Sequence, residues 1–235
     1  MCQRLADGRI GTQIRGFKHP VRDDVTDQHA HGEVDLHKGL VVSCNAYFAQ
    51  LAVRVGPQAL IEAAAPTGIR IALDPVKTHL RGTLPYAGYG QGEVIASPLR
   101  MARVAGAIAT DGVIRDTTTL RVEPERRDAV SHGSGTPWLT SEQASFLATS
   151  MRDVVETGTG RSLAPSPIAI AGKTGTAEVN EAPSHSWFVG FAPYATHGRR
   201  IAFAVIVENA GYGGRVAAPL AGDVVAAAQA AGVIR

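Results

Sequence analysis

Lysine is scarce in this chain. Of 23 basic residues only four are Lys, at positions 18, 38, 77 and 173, and the rest are Arg. Charge is nearly balanced as well: 23 basic against 21 acidic side chains leave a formal +2, too little to draw the protein onto nucleic acid. The pair Arg126-Arg127 stands among Glu123, Glu125 and Asp128 and reads as a solvated face. No stretch approaches the roughly 18 apolar residues of a membrane-crossing helix. Met1 is followed by polar CQRLADGR, so as written the chain shows no export signal. Cysteine is nearly absent. Cys2 and Cys44 would suit either redox compartment, and a bridge between them stays open. What remains is an ordinary globular composition, 45% hydrophobic over 235 residues, enough for one sizeable core.

Residues 1–34 have weak periodicity and read as mostly loop. VDLHKGLVV (34–42) and AYFAQLAVRVG (46–56) read as two short helices parted by Ser43-Cys44-Asn45, and QALIEAAAPTG as a third that ends at Pro66 and Gly68. A loop-rich stretch spans 72–98. SPLRMARVAGAIATDG then reads as a helix with Ser97 at the N-cap, and SEQASFLATSMRDVVETG as another with Ser141 at the N-cap. After 165 the pattern turns strand-like: PIAIAGKTGTAE, SWFVGFAPY and RRIAFAVIVEN, separated by the turn formers NEAPSH and ATHGR. An Ala-rich helix closes the chain. The order favours α+β with an antiparallel sheet.

Lys173 stands in AGKTGTAE, between apolar runs. A phosphate loop does not fit, because position 167 is Pro where that motif needs Gly and another strand follows instead of a helix. Taken alone, Lys-Thr-Gly is as well explained by an edge strand that uses Lys to discourage pairing. Strand alternation points Lys173 and Gly175 one way, Thr174 and Thr176 the other. A Gly beside the Lys clears room for a ligand, and the ammonium suits a carboxylate. Such a pair at about 4 Å is worth roughly 4 kcal/mol at an effective dielectric near 20, before desolvation. Ser43 and Asn45, judged singly, read as caps of the helix near Ala46.

The remaining constellations carry little. His19, His29, His31 and His37 lack metal-site spacing and read as surface histidines. Gly88, Gly90 and Gly92 follow no predicted strand and read as a tight turn, not a dinucleotide fingerprint. TGTG at 157–160 reads as a helix stop followed by a turn.

Together, however, Ser-x-Asn at 43–45 and Lys-Thr-Gly-Thr at 173–176 resemble the transpeptidase domain of penicillin-binding proteins. HGEVDLHKGLVVSCNAYFAQLA, GYGQGEVIASPLRMARVAGAIATDG, SWFVGFAP and VENAGYGGRVAAPLAGDVV look like that family too, in its order, over about residues 29–230. The resemblance implies an antiparallel sheet covered by helices, with an all-helical subdomain. About residues 30–160 would form the mainly helical part, and 165–235 the sheet hairpins and C-terminal helix of a partial domain. It implies acyl transfer from the D-Ala-D-Ala end of a peptidoglycan stem peptide, with β-lactams as mimics and no cofactor. Ser43 would relay a proton to the leaving nitrogen, and Asn45 would orient the acyl amide and the catalytic lysine. Lys173 would set the positive potential. Thr176 would engage the substrate carboxylate and supply a backbone N–H to the oxyanion hole. Thr174, Gly175 and Trp187 would line the substrate site. The family works at the extracytoplasmic face of the bacterial membrane, in wall-synthesis complexes.

The chain departs from the family at one point. Three residues before Lys18, Lys38, Lys77 and Lys173 stand Arg15, Asp35, Asp74 and Ile170, so the family's Ser-x-x-Lys nucleophile and base are not here. Without them no acyl-enzyme forms. Either the chain is a C-terminal fragment, whose missing part would carry the nucleophile, a membrane anchor and part of the sheet, or it is a non-catalytic paralogue that binds wall precursors. A β-lactamase or β-lactam sensor is the further alternative; no carboxylate here is tied to the site as a deacylating base.

Overall fold

A computed structural model describes residues 1–71, 77–116, 135–194 and 198–235. Asp74 and the whole acidic and basic run around Arg126-Arg127 lie outside the described residues, as does most of the ATHGR turn.

The sheet at the centre is an antiparallel meander of β8 (Ala171–Val179), β9 (Ala182–Ala192) and β10 (Ile201–Val207), in the order β10-β9-β8. The strands read from PIAIAGKTGTAE, SWFVGFAPY and RRIAFAVIVEN are all present, with β8 starting at Ala171, after PIAI, and β10 confined to IAFAVIV. The first hairpin is tighter than NEAPSH suggests, turning on Asn180-Glu181, with Glu181 at φ 57°. On one face, Phe188, Ile170 and Phe203 pack against Ala217, Ala218, Ala221 and Val225 of α7 (Ala217–Ala230). On the other, Ala171 and Phe191 meet Ile108 of α5 (Pro98–Ala109) and Met151 of α6 (Ser141–Glu156). Burial of these two faces supplies the main hydrophobic drive. Gly172 is required by the first core: a Cβ there would lie 2.3 Å from the Phe188 ring.

The helical part holds α1 (Leu36–Val42), α2 (Asn45–Val55), α3 (Pro57–Ala64) and α4 (Lys77–Ala87). Helix α4 corrects the loop-rich reading of 72–98. Gly82 and an internal Pro85 mask it in the sequence, and buried Leu80 and Leu84 hold it. Tertiary packing overrides weak propensity there. Ser97 caps α5 as expected, accepting from the Arg100 N–H. In α6 the cap is Thr140, not Ser141, because Thr140 and Gln143 close a reciprocal capping box.

Residues 1–34 are more ordered than a loop. Strands β1 (Gln3–Arg4), β2 (Ile10–Thr12) and β3 (Val21–Arg22) form a small antiparallel sheet that buries Ile10 and Val21. Strands this short leave too little alternation to read from sequence. Two further two-stranded ribbons pair β4 (Arg70–Ile71) with β5 (Val94–Ile95), and β6 (Val113–Ile114) with β7 (Thr136–Pro137).

Candidate active site

Helix α1 ends in a Schellman turn. The Cys44 N–H reaches Gly39 O at 3.0 Å, and Ser43 sits in the left-handed region at φ 57°, ψ 47°. Glycine usually takes that position; a non-glycine residue there costs on the order of 1–3 kcal/mol. Ser43 therefore ends α1 and does not cap α2. The α2 N-terminus is capped from a distance, by Asp23 Oδ1, which accepts the Ala46 N–H at 3.1 Å. That leaves the Ser43 hydroxyl free to face the sheet.

What it meets is Lys173. From β8, at the edge of the meander, Lys173 Nζ donates to Ser43 Oγ at 2.7 Å across 130 residues of chain, and to Thr174 O at 3.0 Å. Burial pushes the Lys173 ammonium down to about 8, and no charged partner contributes to the shift. A desolvated ammonium with no carboxylate partner among the described residues is an anion site in wait, and near neutral pH it can also exchange a proton with the hydroxyl beside it.

Thr174 and Thr176 point to the opposite side of the strand. Thr174 Oγ1 lies 2.6 Å from Thr159 Oγ1, and Thr176 Oγ1 accepts the Gly213 N–H at 3.4 Å. The Thr176 carbonyl, on the free edge of β8, accepts from Gln91 Nε2 at 3.2 Å. Gly175 sits beside Trp187, whose Cβ would be 3.1 Å from a Cβ at 175. Asn45 is not gathered with Lys173: its Nδ2 donates to Arg22 O at 3.1 Å, toward the N-terminal sheet. The structure thus brings Ser43, Lys173, Thr174 and Trp187 around β8 and turns Asn45 away.

Thr159 was not singled out in the sequence. The TGTG turn does stop α6, but it also packs on α1, with the Thr159 N–H on Val41 O at 3.3 Å, which sets its hydroxyl against Thr174. Gln91 lies within the Gly88–Gly92 turn, where its sequence carries no site signal. It borders a cavity of about 780 Å³ between the loop after α4 and the far end of β8 and β9, lined by Tyr86, Gly92, Glu178 and Asn180 among others.

A Ser-His-Asp grouping occurs elsewhere: His37 Nδ1 is 3.1 Å from Ser150 Oγ, and His37 Nε2 is 3.4 Å from Asp153 Oδ2. It makes no nucleophile, because Ser150 is fully buried and its hydroxyl donates to Phe146 O at 2.9 Å. The reading of the histidines needs one correction. His19 and His29 are exposed, but the His31 side chain is only 12% exposed and lies beside two buried, free thiols, Cys2 and Cys44.

The fold is that of an α+β protein in which a helix break and the edge strand of an antiparallel sheet meet at the Ser43–Lys173 contact. Residues 12–226 match the family described as the penicillin binding protein transpeptidase domain, and the chain belongs to that family. It is 30% identical to the peptidoglycan D,D-transpeptidase MrdA of Acinetobacter baumannii, over 87% of this chain and 36% of that protein. It is 28% identical to the peptidoglycan D,D-transpeptidase PbpA of Mycolicibacterium smegmatis, over 83% of this chain and 44% of that one. The chain therefore spans less than half the length of these curated relatives. Among solved structures, Pseudomonas aeruginosa PBP2 in complex with WCK 5153 superposes with a TM-score of 0.72 at 27% identity, covering 92% of this chain and 51% of that one. The penicillin G acyl-enzyme of penicillin-binding protein A from M. tuberculosis gives 0.71 at 25% identity, covering 93% and 54%. No helix among the described residues is long and apolar enough to cross a membrane.

Proposed function

We propose that the chain carries the proton-relay and carboxylate-binding half of a peptidoglycan D,D-transpeptidase site, acting on D-Ala-D-Ala stem peptides in cell-wall synthesis and open to β-lactams. The observation behind this reading is the 2.7 Å contact of Lys173 Nζ with Ser43 Oγ. In this role Lys173 supplies the positive potential that draws the substrate carboxylate, and Thr174 and Thr176 fix it by hydrogen bonds. Ser43, polarised by the ammonium, passes a proton to the leaving nitrogen. The Thr176 N–H supports the oxyanion; losing such a donor typically costs about 10²–10³ in rate. Gly175 keeps the strand open, and Trp187 walls it. Asn45 joins only if its amide leaves Arg22 O for the substrate. The nucleophile and its base would stand on a Ser-x-x-Lys segment outside this sequence, and the work would take place at the extracytoplasmic face within a wall-synthesis assembly.

The alternative to this reading is a non-catalytic wall-precursor binder. Fluorescent penicillin and a D-Ala-D-Ala-terminated stem peptide test both. The chain alone should bind the peptide reversibly and take no covalent label. Joined to a segment carrying Ser-x-x-Lys, it should become acylated. Failure of the joined, folded protein to acylate favours the binder, and no peptide binding beyond that of Lys173→Ala removes both readings.

A further inference from the structure

The hydroxyls of Thr174 and Thr176 lie on the face of β8 away from the Lys173 side chain, which runs to Ser43. A different part of the chain borders them, the loop that leads from β10 into α7. Its Gly213 N–H donates to Thr176 Oγ1 at 3.4 Å. Gly214 comes so close that a Cβ there would lie 2.5 Å from Thr159 O and 3.8 Å from Thr174 Cγ2. Fully buried Ser186 pins this loop: its hydroxyl donates to Tyr212 O at 3.1 Å and accepts the Ala217 N–H at 3.0 Å. Between Asn209 and Val216 the loop carries a single charged side chain, Arg215.

The threonine hydroxyls are set to donate outward. Thr176 Oγ1 accepts from Gly213, which leaves its own proton for a ligand. Thr159 and Thr174 share one proton across 2.6 Å, so the other proton of that pair is also left over. Two such donors suit a carboxylate, and a carboxylate stripped of water needs a positive charge beside it. Arg215 can supply that charge. Its guanidinium carbon stands 5.5 Å over the Tyr212 ring, which occupies the flat face of the cation and leaves the N–H groups in its plane free. Desolvation first, and the Asp24 charge second, raise the Tyr212 phenol, so the ring beneath the cation stays neutral. Arg215 is exposed and pairs with no carboxylate among the described residues.

We propose that Arg215 is a substrate-binding, specificity-determining residue, whose guanidinium holds the terminal carboxylate of an acyl-donor peptide against the Thr174 and Thr176 hydroxyls. This role rests on the transpeptidase reading above and adds to it the cation on the hydroxyl side of β8. The two basic groups then divide the work. Lys173, buried, acts as a field behind the strand and as the proton-exchange partner of Ser43. Arg215, solvated at the rim, attracts the anion from solution and reads it with a planar fork that matches a carboxylate but not an amide.

The test titrates this chain calorimetrically with a D-Ala-D-Ala-terminated stem peptide and with the same peptide amidated at its C-terminus. Wild type should prefer the acid. Arg215→Gln should weaken the acid at least about tenfold and leave the amide unchanged, so that the preference collapses. Arg215→Lys should keep part of the preference, because the charge remains and the fork is lost. Added salt should weaken the acid more in wild type than in Arg215→Gln. Arg54→Gln, the same change of charge at the far end of α2, should alter neither ligand. If Lys173→Ala loses the acid peptide while Arg215→Gln keeps the wild-type preference, the proposal is overturned and the transpeptidase reading stands. Equal weakening of acid and amide by Arg215→Gln, or a wild type indifferent to amidation, overturns it as well. Peptide binding by wild type no stronger than by Lys173→Ala removes both.

Discussion

Lys173 and Ser43 touch at 2.7 Å although 130 residues separate them, and each is placed by its own local rule. The lysine projects from an edge strand, and the serine is itself the left-handed residue that ends α1. Neither pairs with a carboxylate among the described residues, which leaves the pair available to a bound anion. If the contact is functional, Lys173→Ala or Ser43→Ala should weaken stem-peptide binding, and should slow acylation at least about tenfold in a protein carrying the Ser-x-x-Lys segment. Isothermal titration and stopped-flow acylation check this; unchanged constants in folded variants would remove both roles.

The lowered ammonium has a signature in stability. Lys173 falls from 10.5 unfolded to about 8 folded, so between those values the unfolded chain binds more protons. Its contribution to stability therefore rises with pH from about 8 to about 10.5 and is flat below. Cys2 works the other way: burial lifts it from 9.0 to about 11, so its contribution falls across that window. The lysine is isolated by subtraction. The stability difference between wild type and Lys173→Met, from urea midpoints, should shift toward wild type as pH rises from 8 to 10.5.

Ser43→Gly separates strain from function. Glycine adopts the 57° φ without penalty, so the variant should unfold at the same urea concentration as wild type or higher, by up to about 1 kcal/mol, while losing the hydroxyl. A large loss of stability would show that the hydroxyl contact with Lys173 holds the fold as well as the site.

The core beneath the site should be intolerant of a single methyl. Gly172→Ala places a Cβ 2.3 Å from the Phe188 ring, which is fully buried, and 2.9 Å from Val189 O. Overpacking of this kind costs typically about 1–3 kcal/mol. Phe188→Ala, which opens a cavity, should cost about 3–5 kcal/mol. Chemical denaturation measures both, and near-neutral values would mean that β8 shifts readily against β9.

How much could be read beforehand follows from how local each signal is. The three strands of the meander and helices α5 and α6 carry their periodicity and stops within their own short segments. Helix α4 escaped because Gly82 and Pro85 oppose it and only Leu80 and Leu84, packed from outside, sustain it. The N-terminal sheet escaped because its strands are two or three residues long.

The chain's own letters determined the α+β order, the family resemblance carried by Ser-x-Asn and Lys-Thr-Gly-Thr, and the missing Ser-x-x-Lys, since each depends on neighbours in sequence. Only the tertiary structure decided that Ser43 faces Lys173, that Asn45 turns to Arg22, that Thr159 reaches Thr174, and that Cys2, Asp23, His31 and Cys44 converge. Those pairings join segments whose separation along the chain holds no record of their distance. They are fixed by which faces of the sheet and helices must be buried together.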